Sequence, residues 1–357
     1  MRILVVHPGP DFSVADVYRG WADALKEQGN EVALFNTNDR LLFYSKALLP
    51  AVDADGNQLT DEQGLPIVQQ AMGQKDAIVA SMQGLTHACY AVWPDVVLFV
   101  SGFFVTGGVF EMMRMRRHKI VILHTESPYQ DGEQLDRAQF ADLNMVNDPS
   151  NLAAYRELAP ALYMPHAYRP DTHYPRRGPV NPELAADLTF IGTAFKSRTE
   201  FFERMDFGNL DVLLGGSWWD EELAPDSRLR KYLGHDLGKC VDNTETAELY
   251  RQARCGINLY RRESETEYAG QGWAMGPREV EMAACGLFYL RDSRPESDEV
   301  LPMLPSFATP EDAGDQLRWW LDNEDQRLEA ARQARGAIAD RTFTANAKKL
   351  LRKLEEI

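Results

Sequence analysis

Cysteine is scarce. The chain has four in 357 residues (Cys89, Cys240, Cys255 and Cys285), and no two form a CxxC pair. That spacing supports neither a zinc site nor a disulfide framework. The four read as small buried residues in a reducing compartment. Long apolar runs are missing too. The longest, residues 96–110, is interrupted by Ser101, Gly102, Thr106, Gly107 and Gly108, and a bilayer span needs ~20 residues. Residues 3–6 (ILVV) give way at once to His7-Pro8-Gly9-Pro10, too short a run for a signal peptide. The expectation is a cytoplasmic chain with no membrane span.

Positive charge is in deficit, with Lys plus Arg at 38 against Asp plus Glu at 54, a net charge of −16. Such a field repels nucleic acid and anionic lipid. The local basic clusters at 114–119 (RMRRHK) and 174–178 (YPRRG) read as a solvated helix end and linker. No GxGxxG follows the first strand, and GxxxxGK[ST], HExxH and GxSxG do not occur. These gaps set aside dehydrogenase-type dinucleotide sites, P-loop NTPases, zinc proteases and α/β-hydrolases. VDADGNQL starts like a calcium loop, but Gln58 stands where the loop needs Gly and Gly64 where it needs Glu. It reads as a tight Asp-Gly turn.

What is present is an alternation of buried strands and amphipathic helices. Residues 3–6 and 31–36 flank a helix that starts after Ser13, a βαβ unit whose right-handed crossover makes the strands parallel. Residues 41–74 read as irregular. Strands follow at 94–102, 119–128 and 142–146, with helices at 77–92, 109–117 and 149–158. A proline-rich stretch, 164–182, reads as a connection. A second series has strands at 187–192, 210–216, 255–260 and 287–292. Its helices are 197–205, a Thr244-capped one to 253, 277–286, 310–322, and one long helix over 325–356, kinked near Gly336. The fold class is α/β, two doubly wound Rossmann-like domains facing a central cleft. The expected boundaries are 1–170, 171–335, and a carboxyl-terminal helix, 336–357, crossing back to the first domain. Ligands of such folds bind in the crevice at the strands' carboxyl ends.

The chemistry concentrates in GPREVEMAACG, residues 276–286. Pro277 opens a helix whose exposed N–H groups suit an anion. Arg278 adds a fixed charge, and Glu281, one turn on, offers a carboxylate to a diol. The segment resembles the donor-side helix of GT-B glycosyltransferases, which reads E-A-M-A-x-G. FIGTAFKSR (190–198) also resembles that family, with a glycine turn after a strand and then basic residues. The resemblance implies that Gly192, Thr193, Lys196 and Arg198 hold the donor diphosphate and Glu281 the ribose. It further implies Val241 and Asn243 at the base, and Tyr260, Arg261 and Arg262 facing the cleft.

Taken whole, the chain resembles most closely the CgeB-like (spore-maturation) branch. The carriers are HTESPY (124–129), NDP (147–149), YMPHAY (163–168), FIGT and REVEMAACG. Trp273 stands where many retaining members carry a second glutamate; Glu263, Glu265 or Glu267 are the replacements to hand. In the first domain, His124 or Glu126 is the candidate base. His7 and His166 are further candidates for reaching the cleft. The implied activity is sugar transfer from a nucleotide sugar, a UDP-sugar favoured, with no metal and no cofactor beyond that co-substrate. The acceptor stays open among a glycan, a small molecule, a protein or a hydroxylated DNA base, the last disfavoured by charge. An epimerase of the same fold, or a non-catalytic sugar-nucleotide or glycan-binding module, are the alternatives.

Overall fold

The computed structural model describes residues 1–9, 14–234, 240–264 and 272–357. The first half contains β1 (Arg2–Val6), α1 (Ala15–Glu27), β2 (Glu31–Phe35), α2 (Thr37–Ser45), β3 (Leu48–Pro50), β4 (Val68–Gln70) and α3 (Gln74–Val92). It continues with β5 (Val96–Val100), α4 (Gly107–Met115), β6 (Lys119–His124), α5 (Asp131–Ala138), β7 (Leu143–Val146), α6 (Leu152–Leu158) and β8 (Ala161–Tyr163). Six of these strands form one sheet in the order β2-β1-β5-β6-β7-β8, parallel throughout. Burial on both faces explains the continuous apolar runs: every residue of β5 is buried.

The second half contains β9 (Ala186–Ile191), α7 (Lys196–Arg204), β10 (Val212–Gly215), α8 (Trp219–Glu222), α9 (Asn243–Gln252), β11 (Ala253–Asn258), α10 (Pro277–Ala284) and β12 (Tyr289–Arg291). Four helices close the chain: α11 (Pro295–Val300), α12 (Pro310–Asp322), α13 (Glu324–Ala337) and α14 (Phe343–Glu356). The sheet order is β10-β9-β11-β12, again parallel. Strand order reverses at β1/β5 in one sheet and at β9/β11 in the other, the switch points where open α/β sheets form crevices.

Several expectations change. Residues 41–74 contain the end of α2 and the antiparallel β3–β4 ladder. Its Asp53 turn is an Asx turn, since Asp53 Oδ1 accepts from the Asp55 and Asn57 amides. The cap of α9 is Asp242, whose side chain accepts from Thr244 N. The long carboxyl-terminal helix is two. Thr342 restarts it by accepting from Ala345 N, while Arg341 is drawn into an ion pair with Glu296. After that break α14 lies on α1, with Phe343, Ala347, Leu350 and Leu354 packed among Tyr18, Trp21 and Leu25. Ser13, expected to cap α1, lies outside the described residues.

Candidate functional site

A cavity of about 600 Å³ opens between the two sheets. One wall comes from the segments after β6 and β7, the other from those after β9 and β11 and the start of α10. At the turn after β9, Gly192 donates to Gly215 O. Gly216, at φ 123°, lies so close that any side chain there would overlap the Gly192 carbonyl. Only glycine permits this approach. It leaves the Gly192-Thr193 backbone open to the cavity.

Three arginines converge here. Arg198, on the first turn of α7, spends its guanidinium on carbonyls: Leu259 O at 3.0 and 2.7 Å and Thr193 O at 3.0 Å. Burial lowers its pKa to about 10, with Arg261 and Arg278 pushing the same way. No carboxylate among the described residues pairs with it. Arg278 pairs with Glu281 Oε2 at 2.7 Å, and Arg261 with Glu126 Oε2 at 2.9 Å. The second pair joins the two walls, and Arg261 also lies over the Tyr129 ring, 4.2 Å from its centroid.

Glu281 is buried and holds a defined pose. Its Oε1 accepts from Asn243 Nδ2 at 2.9 Å, its Oε2 from Arg278. Val241, Asn243, Tyr260, Arg261, Pro277, Arg278 and Glu281 all line the cavity, as do Gly192, Thr193 and Arg198. The sequence thus names a set of residues that the fold brings together. The segment leading into α10 has its amides committed. The Gly276 amide is already bonded to the Glu279 carboxylate and the Tyr260 hydroxyl. The Met275 amide is held by Glu296, and those of Trp273 and Ala274 by Asp148. These four amides, all ahead of α10, are spent on the protein's own side chains.

Several expected residues do not reach the cavity, Arg262 among them, which pairs with Asp292 Oδ2 at 2.7 Å. Lys196 opens α7 but points outward, its side chain 78% exposed and 3.8 Å from Glu200. Arg198, two residues on, points inward. His124 ends β6 with its ring fully buried. Nε2 meets Asn144 Oδ1 at 2.8 Å, the ring leans on Tyr155, and burial lowers its pKa to about 3. The strand's alternation aims His124 at α6, while Thr125 and Glu126 beyond the strand line the cavity. Of the two candidates, Glu126 is therefore the one that faces the cavity. Burial raises its pKa, and Arg261 opposes that shift. His7 accepts from Gly9 N and packs on Tyr18, away from the lining. Glu263 is committed to the start of α7, accepting from the Ser197 amide and hydroxyl. Glu265 and Glu267 lie outside the described residues.

Sequence reasoning assigned no role to Tyr129, Asp148, Trp218 or Arg294, yet all line the cavity. Asp148 reaches across from the first wall to the Trp273 and Ala274 amides and Arg294. Its NDP motif marked the place without the partner. Arg294 follows β12 with no local signal at all. Among the described residues no group of three His, Cys, Asp or Glu could hold a metal ion. No described helix is long and apolar enough to cross a membrane.

Residues 198–352 match the family model described as glycosyl transferase-like. No curated protein matches the chain by sequence. Among solved structures, sucrose-phosphate synthase from Thermosynechococcus elongatus superposes with a TM-score of 0.65 at 14% identity, over 100% of this chain and 98% of that one. An E. coli structure titled trehalose-6-phosphate and bound with UDP-2-fluoro glucose gives 0.63 at 12%, over 100% and 99%. Anabaena HepE in complex with UDP-glucose gives 0.61 at 10%, over 100% of both chains. The fold is GT-B. The family match over residues 198–352 and this fold together support glycosyltransferase activity.

Proposed function

We propose that this enzyme transfers a sugar from a nucleotide-sugar donor, a UDP-sugar by preference, to an acceptor hydroxyl. The donor rests on the second domain. Glu281 accepts from the ribose, Val241 and Asn243 edge the base, and Arg198, Arg261 and Arg278 face the diphosphate. The observation that carries this reading is Arg198, a half-buried cation with no carboxylate partner among the described residues, in the same cavity as Glu281. A partly desolvated cation without a counter-charge is costly, and a diphosphate would compensate it. Preorganised cations also stabilise the charge that grows on a departing diphosphate.

Across the cavity, Glu126 takes the acceptor's proton. It is tied to Arg261; a diphosphate competes for that arginine and releases the carboxylate. The CgeB-like branch remains the subfamily we favour, on the ordered motifs from HTESPY to REVEMAACG. The domain limits 1–170, 171–335 and 336–357 and a cytoplasmic location belong to the same reading. It is tested by a donor-by-acceptor screen read by mass spectrometry. Release of nucleoside diphosphate with a new glycoside supports transfer. Conversion to a new nucleotide sugar without acceptor would make the chain an epimerase, and binding alone a recognition module. Product NMR then gives the anomeric configuration. Inversion fits Glu126 as base; retention, with Glu126→Gln above a tenth of wild-type turnover, removes that role.

A further inference from the structure

The cavity contains one imidazole that the proposed mechanism does not use. His166 follows β8 in the connection between the sheets and lines the cavity together with Glu281. It makes no hydrogen bond with any described residue. The strongest charges acting on it are the carboxylates of Glu281 and then Asp148. Its backbone is pinned on both sides. Met164 O accepts from Asn147 Nδ2 at 2.6 Å, and Pro165 O from Asn346 Nδ2 at 2.8 Å. Tyr168 N donates to Arg341 O. A ring on so fixed a backbone, with its nitrogens unclaimed, is preorganised for a ligand.

The chemistry of its neighbour says which ligand. Each Glu281 oxygen already accepts one bond, from Asn243 and from Arg278. A carboxylate has about four lone-pair sites, so room is left for two more donors. A vicinal diol supplies two O–H donors, but its own oxygen lone pairs then need a donor in return. Glu281 has none to give. A neutral imidazole has one N–H and one lone pair. Burial lowers the His166 pKa to about 4, so the ring is neutral near pH 7. Val14, just before α1, and Val17 within it, which line the same cavity, have no polar side-chain atom to compete.

We propose that His166 and Glu281 together read the ribose diol, so that His166 makes the donor site selective for ribonucleotides over deoxyribonucleotides. This rests on the donor reading above. His166 is thereby a specificity residue contributed by the connection between the domains, and Glu281 its counterpart on the second domain.

The test is calorimetric titration of UDP, 2′-deoxy-UDP and 3′-deoxy-UDP into wild type, His166→Ala and His166→Asn. One neutral hydrogen bond corresponds to about 3- to 10-fold in affinity. Wild type should favour UDP by that factor over at least one deoxy analogue. His166→Ala should weaken UDP to the level of that analogue and leave the analogue's own affinity unchanged. His166→Asn, which keeps an N–H donor, should retain part of the preference, and it carries the test if the alanine variant does not fold. Equal weakening of UDP and both analogues, or no weakening of UDP, overturns the proposal. Failure of wild type to bind UDP, ADP, GDP or CDP overturns the donor reading as well. The two failures are distinct, because the second appears before any substitution is made.

Discussion

The two walls of the cavity are built on the same plan and carry opposite chemistry. Both come from loops at the carboxyl ends of parallel strands. The second-domain wall gathers Arg198, Arg261, Arg278 and Arg294, and the first-domain wall offers Glu126, Asp148 and the Tyr129 hydroxyl. Most of these charges are matched in pairs: Arg261 with Glu126, Arg294 with Asp148, Arg278 with Glu281. Arg198 is the exception. The contrast teaches that one wall is prepared for an anion and the other for a proton or for positioning. The pairs that cross between the walls hold the cavity together before substrate arrives.

The sharpest way to break this comparison is to remove the first wall's free-standing function. Glu126→Gln should cut transfer by ~10²–10⁴-fold, the usual contribution of a general base, with donor affinity unchanged or improved because Arg261 is released. His124→Ala should behave differently. It should lower stability by about 1–3 kcal/mol by stranding the buried Asn144 oxygen, with turnover within a few-fold of wild type. Steady-state kinetics beside chemical denaturation separates the two; a turnover loss confined to His124→Ala would reverse the assignment.

On the second wall, Glu281→Ala should weaken UDP binding by about 2–4 kcal/mol. It removes charge-assisted bonds and leaves Arg278 unpaired. Unchanged affinity by calorimetry would exclude Glu281 from the donor site. Arg198→Met should cost about 1.5–3 kcal/mol for UDP and nothing for uridine, because only the former has phosphates. Lys196→Ala should change neither, its ammonium lying outside the cavity. Equal losses for UDP and uridine would mean that Arg198 acts through the fold.

The smallest effect concerns pH and the start of α10. Burial raises the Glu279 pKa to about 7, against ~4.3 in an unfolded chain. Because the folded value is raised, the associated stability is complete below about pH 4 and is lost as pH rises to about 7. Wild type should therefore lose about 1–3 kcal/mol of stability from this group between pH 4 and 8. Glu279→Gln should remove that part of the slope. Urea denaturation at the two pH values measures it, and an identical slope in both proteins would show that Glu279 titrates alike in the folded and unfolded chain.

Much of the second wall was legible in the sequence because its residues are close together and their roles are local. Gly192 must turn where β9 ends, Pro277 must open a helix, and Glu281 must lie one turn inside it. The first wall was harder to read. His124 and Glu126 are two residues apart after the same strand, and sequence spacing alone does not say which ring or carboxylate is covered by α5 and α6. Arg294 and Asp148 lie 146 positions apart, with no local pattern to pair them.

The sequence by itself determined the alternation of buried strands and helices, and hence the parallel sheets. It also determined the GT-B-like motifs, because period, capping and turn chemistry act over a few residues. Tertiary structure alone decided which polar groups were left available. It spent the amides of residues 273–276, just ahead of α10, on Asp148, Glu296 and Glu279, turned Lys196 outward and buried His124. Among the described residues it also left Arg198 without a carboxylate and His166 without a hydrogen-bond partner. Those outcomes depend on what two separate sheets bring within 3 Å of one another, and only packing across the whole chain sets that.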